Sequence, residues 1–325
     1  MPWDIAGHDA AVRSLQAALI SGQIGHAYMF VGPKGIGKGR LALQTAKALM
    51  CELDKTQAPC GACRGCRRVE SNNHPDLHRV MPEGTGVKID QMRQLQDTLA
   101  LRPYEAKYKV VIIDDADSLT VQAQNSMLKS FEEPSGDTVY ILIVHNPDAL
   151  LPTIHSRCQI IRLQPVADEV VAALLQKERG MDMDQATLLA ALSDGRPGLA
   201  LTLDAEQMLA QRKRVVEWCG ALRQDGLKAV IRIGDTLEKD ADLSESLTAL
   251  SVWLRDLWHY NVDPHLQLVN RDMRDTIAQE APFWRSGAVH ALSAVAEAKN
   301  QLARNVNRRL VLDYMLIRIQ RGLTL

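Results

Sequence analysis

Neither sign of charge predominates in this chain of 325 residues, in which 38 lysines and arginines stand against 39 aspartates and glutamates for a formal net charge of -1. That balance excludes a global electrostatic pull toward DNA or an anionic membrane, so any contact with nucleic acid needs a local patch. Long apolar runs are missing as well, and no stretch approaches the roughly 18 residues that span a bilayer. The opening residues, Met1-Pro2-Trp3-Asp4, lack the basic and apolar blocks of a secretion signal. These absences predict a cytoplasmic protein without a membrane partner. The sequence also has no low-complexity segment and no internal repeat. Its composition is that of an ordinary globular protein, 46% hydrophobic and 24% charged, in a chain long enough for two or three domains.

Residues Gly32-Pro33-Lys34-Gly35-Ile36-Gly37-Lys38-Gly39 fit the phosphate-loop pattern G-x-x-x-x-G-K-[ST] at every position but the last. The apolar run 27–31 before the loop reads as a buried strand, and helical spacing over 40–50 follows it, the setting this chemistry requires. Backbone N–H groups at Gly32, Gly35 and Gly37 and the helix N-terminus can cradle a phosphate, with Lys38 as the point charge. Gly39 offers no oxygen to Mg²⁺. The loop therefore predicts ATP binding that is weak or absent and Mg²⁺-dependent hydrolysis that is crippled.

Further strands are predicted at 77–80, 109–113, 138–144 and 159–163, with helices over 10–21, 89–99 and 121–131. Short apolar strands alternating with helices imply a parallel, doubly wound α/β sheet with its ligand at the strand C-termini. Strand signals stop after Leu163. The rest reads as helix, broken at Gly180, at Asp194-Gly195-Arg196-Pro197-Gly198 and at Asp225-Gly226. The expected organisation is an α/β core over 1–165, a small helical domain over 166–205 and a larger helical domain over 206–325.

Lys109-Val110-Val111-Ile112-Ile113-Asp114-Asp115 is an apolar strand ending in carboxylates, a Walker B element beside a phosphate loop. Asp114 takes the Mg²⁺-holding role. Asp115 stands where related ATPases carry a glutamate to polarise the attacking water; being one methylene shorter, it positions that water poorly, and such misplacement costs on the order of 10²-fold in rate.

Four of six cysteines, Cys51, Cys60, Cys63 and Cys66, form C-x8-C-x2-C-x2-C. Four soft thiolates suit tetrahedral Zn²⁺, and using all four leaves no open position, so the metal is expected to be structural. An iron–sulfur cluster is the alternative, and His74 and His78 are spare ligands should one cysteine fail. Arg64, Arg67 and Arg68 surround the knuckle, where they soften its negative charge or touch DNA. Ser156-Arg157-Cys158 places an arginine at a strand start on the edge of the α/β domain, a position suited to an arginine finger reaching a neighbouring subunit's γ-phosphate; read alone, Arg157 is a surface ion pair.

His26-Ala27-Tyr28, the phosphate loop, the four cysteines, Asn73-His74-Pro75-Asp76-Leu77-His78, the run from Asn125 to Pro134 and Ser156-Arg157-Cys158 together resemble the bacterial DNA polymerase III clamp-loader AAA+ family. The likeness is strong over residues 1 to about 165 and continues more loosely to Asn305-Val306-Asn307-Arg308-Arg309-Leu310 and the final helix. It implies an AAA+ core with a zinc module at 51–66, a helical lid and a helical collar that joins subunits such as gamma, tau and delta into a ring. It also implies that the ring loads a sliding clamp at primed DNA in an ATP-dependent cycle. Gly39, Asp115 and the stretch Gly195-Arg196-Pro197-Gly198, which lacks an arginine three residues after its first glycine, depart from the motor members of that family. The departures imply a subunit that donates Arg157 to a neighbour and hydrolyses little itself; the alternative is a motor subunit that tolerates Gly39.

Overall fold

A computed structural model describes residues 3–84, 86–99, 102–132, 137–304 and 306–323. Met1, Pro2, Pro134 and Asn305, named above, lie outside them. The chain divides into two compact units: 1–167 together with Arg196–Gly198, and 168–195 together with 199–325.

The first unit contains α1 (Asp9–Ser21), β1 (Ala27–Val31), α2 (Lys38–Met50), α3 (Arg64–Glu70), β2 (Leu77–Val80), α4 (Ile89–Leu99), β3 (Lys109–Ile113), α5 (Val121–Glu132), β4 (Thr138–Val144), α6 (Pro152–His155) and β5 (Gln159–Arg162). Its sheet is wholly parallel, in the order β2-β3-β4-β1-β5. Because alternate residues of a strand face opposite sides, β1 sends Tyr28 and Phe30 into one core with Leu41, Ala46 and Leu49 of α2. It sends Ala27, Met29 and Val31 into another with Met92 of α4 and Met127 of α5. Strands covered on both faces read as unbroken apolar runs, and β1, β3 and β4 are buried along their whole length.

The strand order fixes what can meet at the C-terminal edge. β4 is inserted between β1 and β3, with Val31 level with Val144 and Ile113 level with Leu142. The residue that leaves β4 therefore emerges between the loop after β1 and the acids after β3.

The second unit is helical: α7 (Asp168–Arg179), α8 (Met183–Leu192), the greater part of α9 (Pro197–Thr202), α10 (Ala205–Asp225), α11 (Leu227–Glu238), α12 (Leu243–Val262), α13 (Arg274–Glu280), α14 (Gly287–Ala303) and α15 (Arg308–Leu323). Trp253 and Trp284 are its largest fully buried side chains. Asp256, wholly buried, accepts from the Val269 and Asn270 backbones and the Asn270 side chain at 2.7–3.0 Å, which satisfies the charge and ties α12 to the loop before α13. No helix among the described residues is long and apolar enough to cross a membrane.

Candidate functional site: a phosphate loop and a four-cysteine centre

The loop joining β1 to α2 has the backbone that its glycines permit. A Cβ on Gly32 would lie 2.6 Å from the Leu163 carbonyl oxygen, and Gly37 sits at φ 108°, a conformation closed to other residues. No side chain caps the N-terminus of α2, so its first-turn N–H groups suit an anion. Gly39 is different: a Cβ there meets nothing closer than 4.0 Å. Its lack of a hydroxyl is not a demand of packing. We expect Gly39→Thr to fold normally and to raise Mg-nucleotide affinity relative to nucleotide without metal, as read by titration calorimetry with and without Mg²⁺; equal gains in both would show that the hydroxyl is not meeting the metal.

Lys38 is 3% exposed and does not reach into open space. Its Nζ donates to the Gly32 carbonyl at 2.5 Å and the Pro33 carbonyl at 2.8 Å, and lies 2.8 Å from His145 Nδ1. Burial pushes this ammonium down to about 8, against the opposing pull of Asp117 and Asp115. His145, the first residue after β4, places Nε2 2.5 Å from Asp115 Oδ1. Its backbone N–H donates to Asp117 Oδ1 at 3.1 Å, and the next N–H, of Asn146, to Asp117 Oδ2 at 3.3 Å. Asp115 takes a left-handed backbone, φ 45°, uncommon outside glycine but more readily adopted by aspartate and asparagine than by most residues. Asp114 turns elsewhere and accepts from Arg79 of β2 at 2.7 Å. The structure thus joins Lys38 to Asp115 through His145 and places Asp114 in an ion pair. Sequence reading missed His145, Asp117 and Arg79; the only signal for His145 was its place directly after the apolar run 138–144, which gains meaning once β4 is known to lie between β1 and β3.

The loop's shape fits a phosphate. For Mg²⁺ the fit is poor, since position 39 has no oxygen and Asp114 is held by a cation.

Arg157 follows α6 and is half-buried; its Nη1 donates to the Thr153 carbonyl at 3.0 Å and the Ser156 hydroxyl at 3.3 Å. Those bonds hold the side chain to its own turn.

The four cysteines converge. Their Sγ atoms all lie within 4.8 Å of one another, with Cys51 to Cys63 at 3.9 Å and Cys60 to Cys66 at 4.0 Å. A tetrahedral Zn–S₄ site with bonds of about 2.3 Å has sulfur–sulfur edges of about 3.8 Å, whereas a disulfide needs about 2.05 Å. The set therefore fits one metal ion and not two cross-links. The Cys63 N–H points at Cys60 Sγ (3.3 Å) and the Cys66 N–H at Cys63 Sγ (3.4 Å), bonds that favour thiolate. N–H groups of Cys63 and Ala62 draw the Cys60 thiol down to about 6, while burial pushes Cys51 and Cys66 up. Lys55 closes the end of α2 by donating to the Ala48, Leu49 and Cys51 carbonyls at 3.0–3.2 Å. Lys47 of α2 pairs with Glu70 of α3, and Arg68 of α3 pairs with Glu105. His74 and His78 are not part of the cluster.

A family model described as DNA polymerase III, delta subunit, matches residues 7–167, and one described as DNA polymerase III, delta subunit, C terminal, matches 206–321. DNA polymerase III subunit delta' of Bacillus subtilis is 32% identical over 96% of this chain and 95% of its own length. The chain belongs to the DNA polymerase III delta' family. The delta' subunit of Escherichia coli is 29% identical over 98% of this chain and 95% of its own. Subunit tau of Bacillus subtilis is 28% identical over 78% of this chain but only 46% of tau. These two delta' members thus match over nearly their whole length, while tau extends well beyond the shared region.

Proposed function

We infer that this chain is a non-motor subunit of a DNA polymerase III clamp loader, assembling with gamma or tau and delta subunits into a ring that loads a sliding clamp onto primed DNA in the cytoplasm. In this reading the AAA+ core over 1–165 holds Zn²⁺ at Cys51, Cys60, Cys63 and Cys66 as a structural centre. Residues 166–205 form a lid and 206–325 the collar. Arg157 enters the ATP site of an adjacent subunit, where its guanidinium meets charge developing on the γ-phosphate.

One observation carries the inference. Position 39, where an ATPase holds Mg²⁺ through a hydroxyl, is a glycine in space that would accept a larger side chain. Asp115, in the water-activating position, is also engaged by His145. Whatever nucleotide Gly32, Gly35, Gly37 and Lys38 hold, Asp114 and Gly39 are poorly set to hold its metal. The purified chain should therefore turn over ATP far below the 1–10³ s⁻¹ of ordinary enzymes, as measured by steady-state phosphate release. Turnover within that range, abolished by Lys38→Ala, would make this a motor subunit of the gamma or tau kind.

A further inference from the structure

An ammonium has three N–H donors and no acceptor. All three of Lys38 are engaged: Gly32 O at 2.5 Å, Pro33 O at 2.8 Å and His145 Nδ1 at 2.8 Å. The first two partners belong to the phosphate loop itself. The third comes from the residue that follows β4, and it occupies the direction left to the ammonium once both loop carbonyls are satisfied.

As an ammonium Lys38 can only donate, so in this contact Nδ1 offers its lone pair and Nε2 carries the ring's proton. That proton points at Asp115 Oδ1, 2.5 Å away, and the carboxylate fixes both tautomer and ring orientation. Asp117 fixes the backbone from which the ring projects, through the N–H groups of His145 and Asn146. Two further loop carbonyls are taken as well: His8 Nε2 lies 2.9 Å from Ile36 O, and the Gly198 N–H donates to Gly35 O at 2.7 Å within the same compact unit. Protein groups from outside the loop thus hold it at several points.

We propose that His145, oriented by Asp115, is an internal occupant of the phosphate loop: it takes the ammonium donor that a nucleotide's phosphate would use and so sets the chain's low affinity for nucleotide. The inference rests on reading the loop as a nucleotide site. It assigns the acid at 115 a second task, and one that suits its length, since it need only reach the imidazole beside it. It also separates two defects. Gly39 withholds the metal, and His145 withholds the lysine.

The test uses the full chain, with His145→Ala and Asp115→Asn, and two readouts. The first is acylation of Lys38 by an amine-reactive reagent at pH 8, quantified by mass spectrometry against Lys34, an exposed lysine of the same loop. His145→Ala should raise Lys38 labelling severalfold relative to Lys34. The second is the affinity for a fluorescent ATP analogue without Mg²⁺. A charge-assisted hydrogen bond is worth about tenfold or more in binding, so His145→Ala should tighten the analogue by about that factor. Asp115→Asn, which removes the charge that orients the ring, should move both readouts the same way by less. Unchanged Lys38 labelling overturns the latch. Raised labelling with unchanged or weaker affinity overturns its role in withholding nucleotide. If Lys38→Ala also leaves the affinity of His145→Ala unaltered, the loop is not the nucleotide site, and that failure belongs to the underlying reading.

Discussion

Rings assembled with Arg157→Ala should form normally and then stall. Among the contacts the substitution removes are hydrogen bonds to Thr153 O and Ser156 Oγ, which lie on an exposed turn outside either core, and changes at such sites shift stability by only a fraction of a kcal/mol. The isolated chain should melt as wild type does. An arginine finger supplied in trans is worth on the order of 10³- to 10⁵-fold at the site that receives it. If Arg157 is such a finger, hydrolysis at the ATP site that receives it should fall by at least the lower figure, and clamp loading with it. Arg157→Lys should recover little, because a point charge cannot meet two phosphate oxygens at once as a planar guanidinium does. The measurement is single-turnover ATP hydrolysis and clamp loading by reconstituted rings. Wild-type rates for Arg157→Ala would reduce the residue to a tether for its own turn.

The fold was most legible where its strands are buried on both faces, in β1, β3 and β4. β1, β3 and β4 begin and end at the residues the apolar runs indicated, since a central parallel strand needs no alternation and is bounded by the polar residues that leave the sheet. The order of those strands was not legible, because pairing is a tertiary fact. That order is what seats His145 between Lys38 and Asp115. The spacing of Cys51, Cys60, Cys63 and Cys66 announced itself locally, as ligands within sixteen residues do, and the thiols converge as their spacing implied. Asp114 shows the opposite case. Its position at a strand tip suggested a metal ligand, yet its pairing with Arg79 depends on β2 lying beside β3, which no local pattern encodes.

The four-cysteine centre yields the other large effect, and two of its members separate metal binding from packing. Cys66 is 1% exposed and sits in the core cluster with Ala58 and Val69 beneath α2, whereas Cys60 lies at the margin and only packs against that cluster. If the site holds Zn²⁺, both Cys60→Ser and Cys66→Ser should lose it, because a tetrahedral shell of four thiolates has no spare ligand. Structural zinc in small peptide sites contributes on the order of 10 kcal/mol. Part of that should appear here as a lowered melting temperature and as proteolysis confined to residues 51–66, the parallel sheet having its own core. Cys66→Ser should be the more damaging, as it also places a hydroxyl where a buried thiol packed. Metal analysis of protein purified without chelator should give about one zinc per chain, and none from either variant. The decisive comparison is Cys60→Ser, which scarcely disturbs packing. Should that variant melt as wild type does and the parent carry no metal, the four thiols are core residues that happen to converge, and the zinc assignment falls.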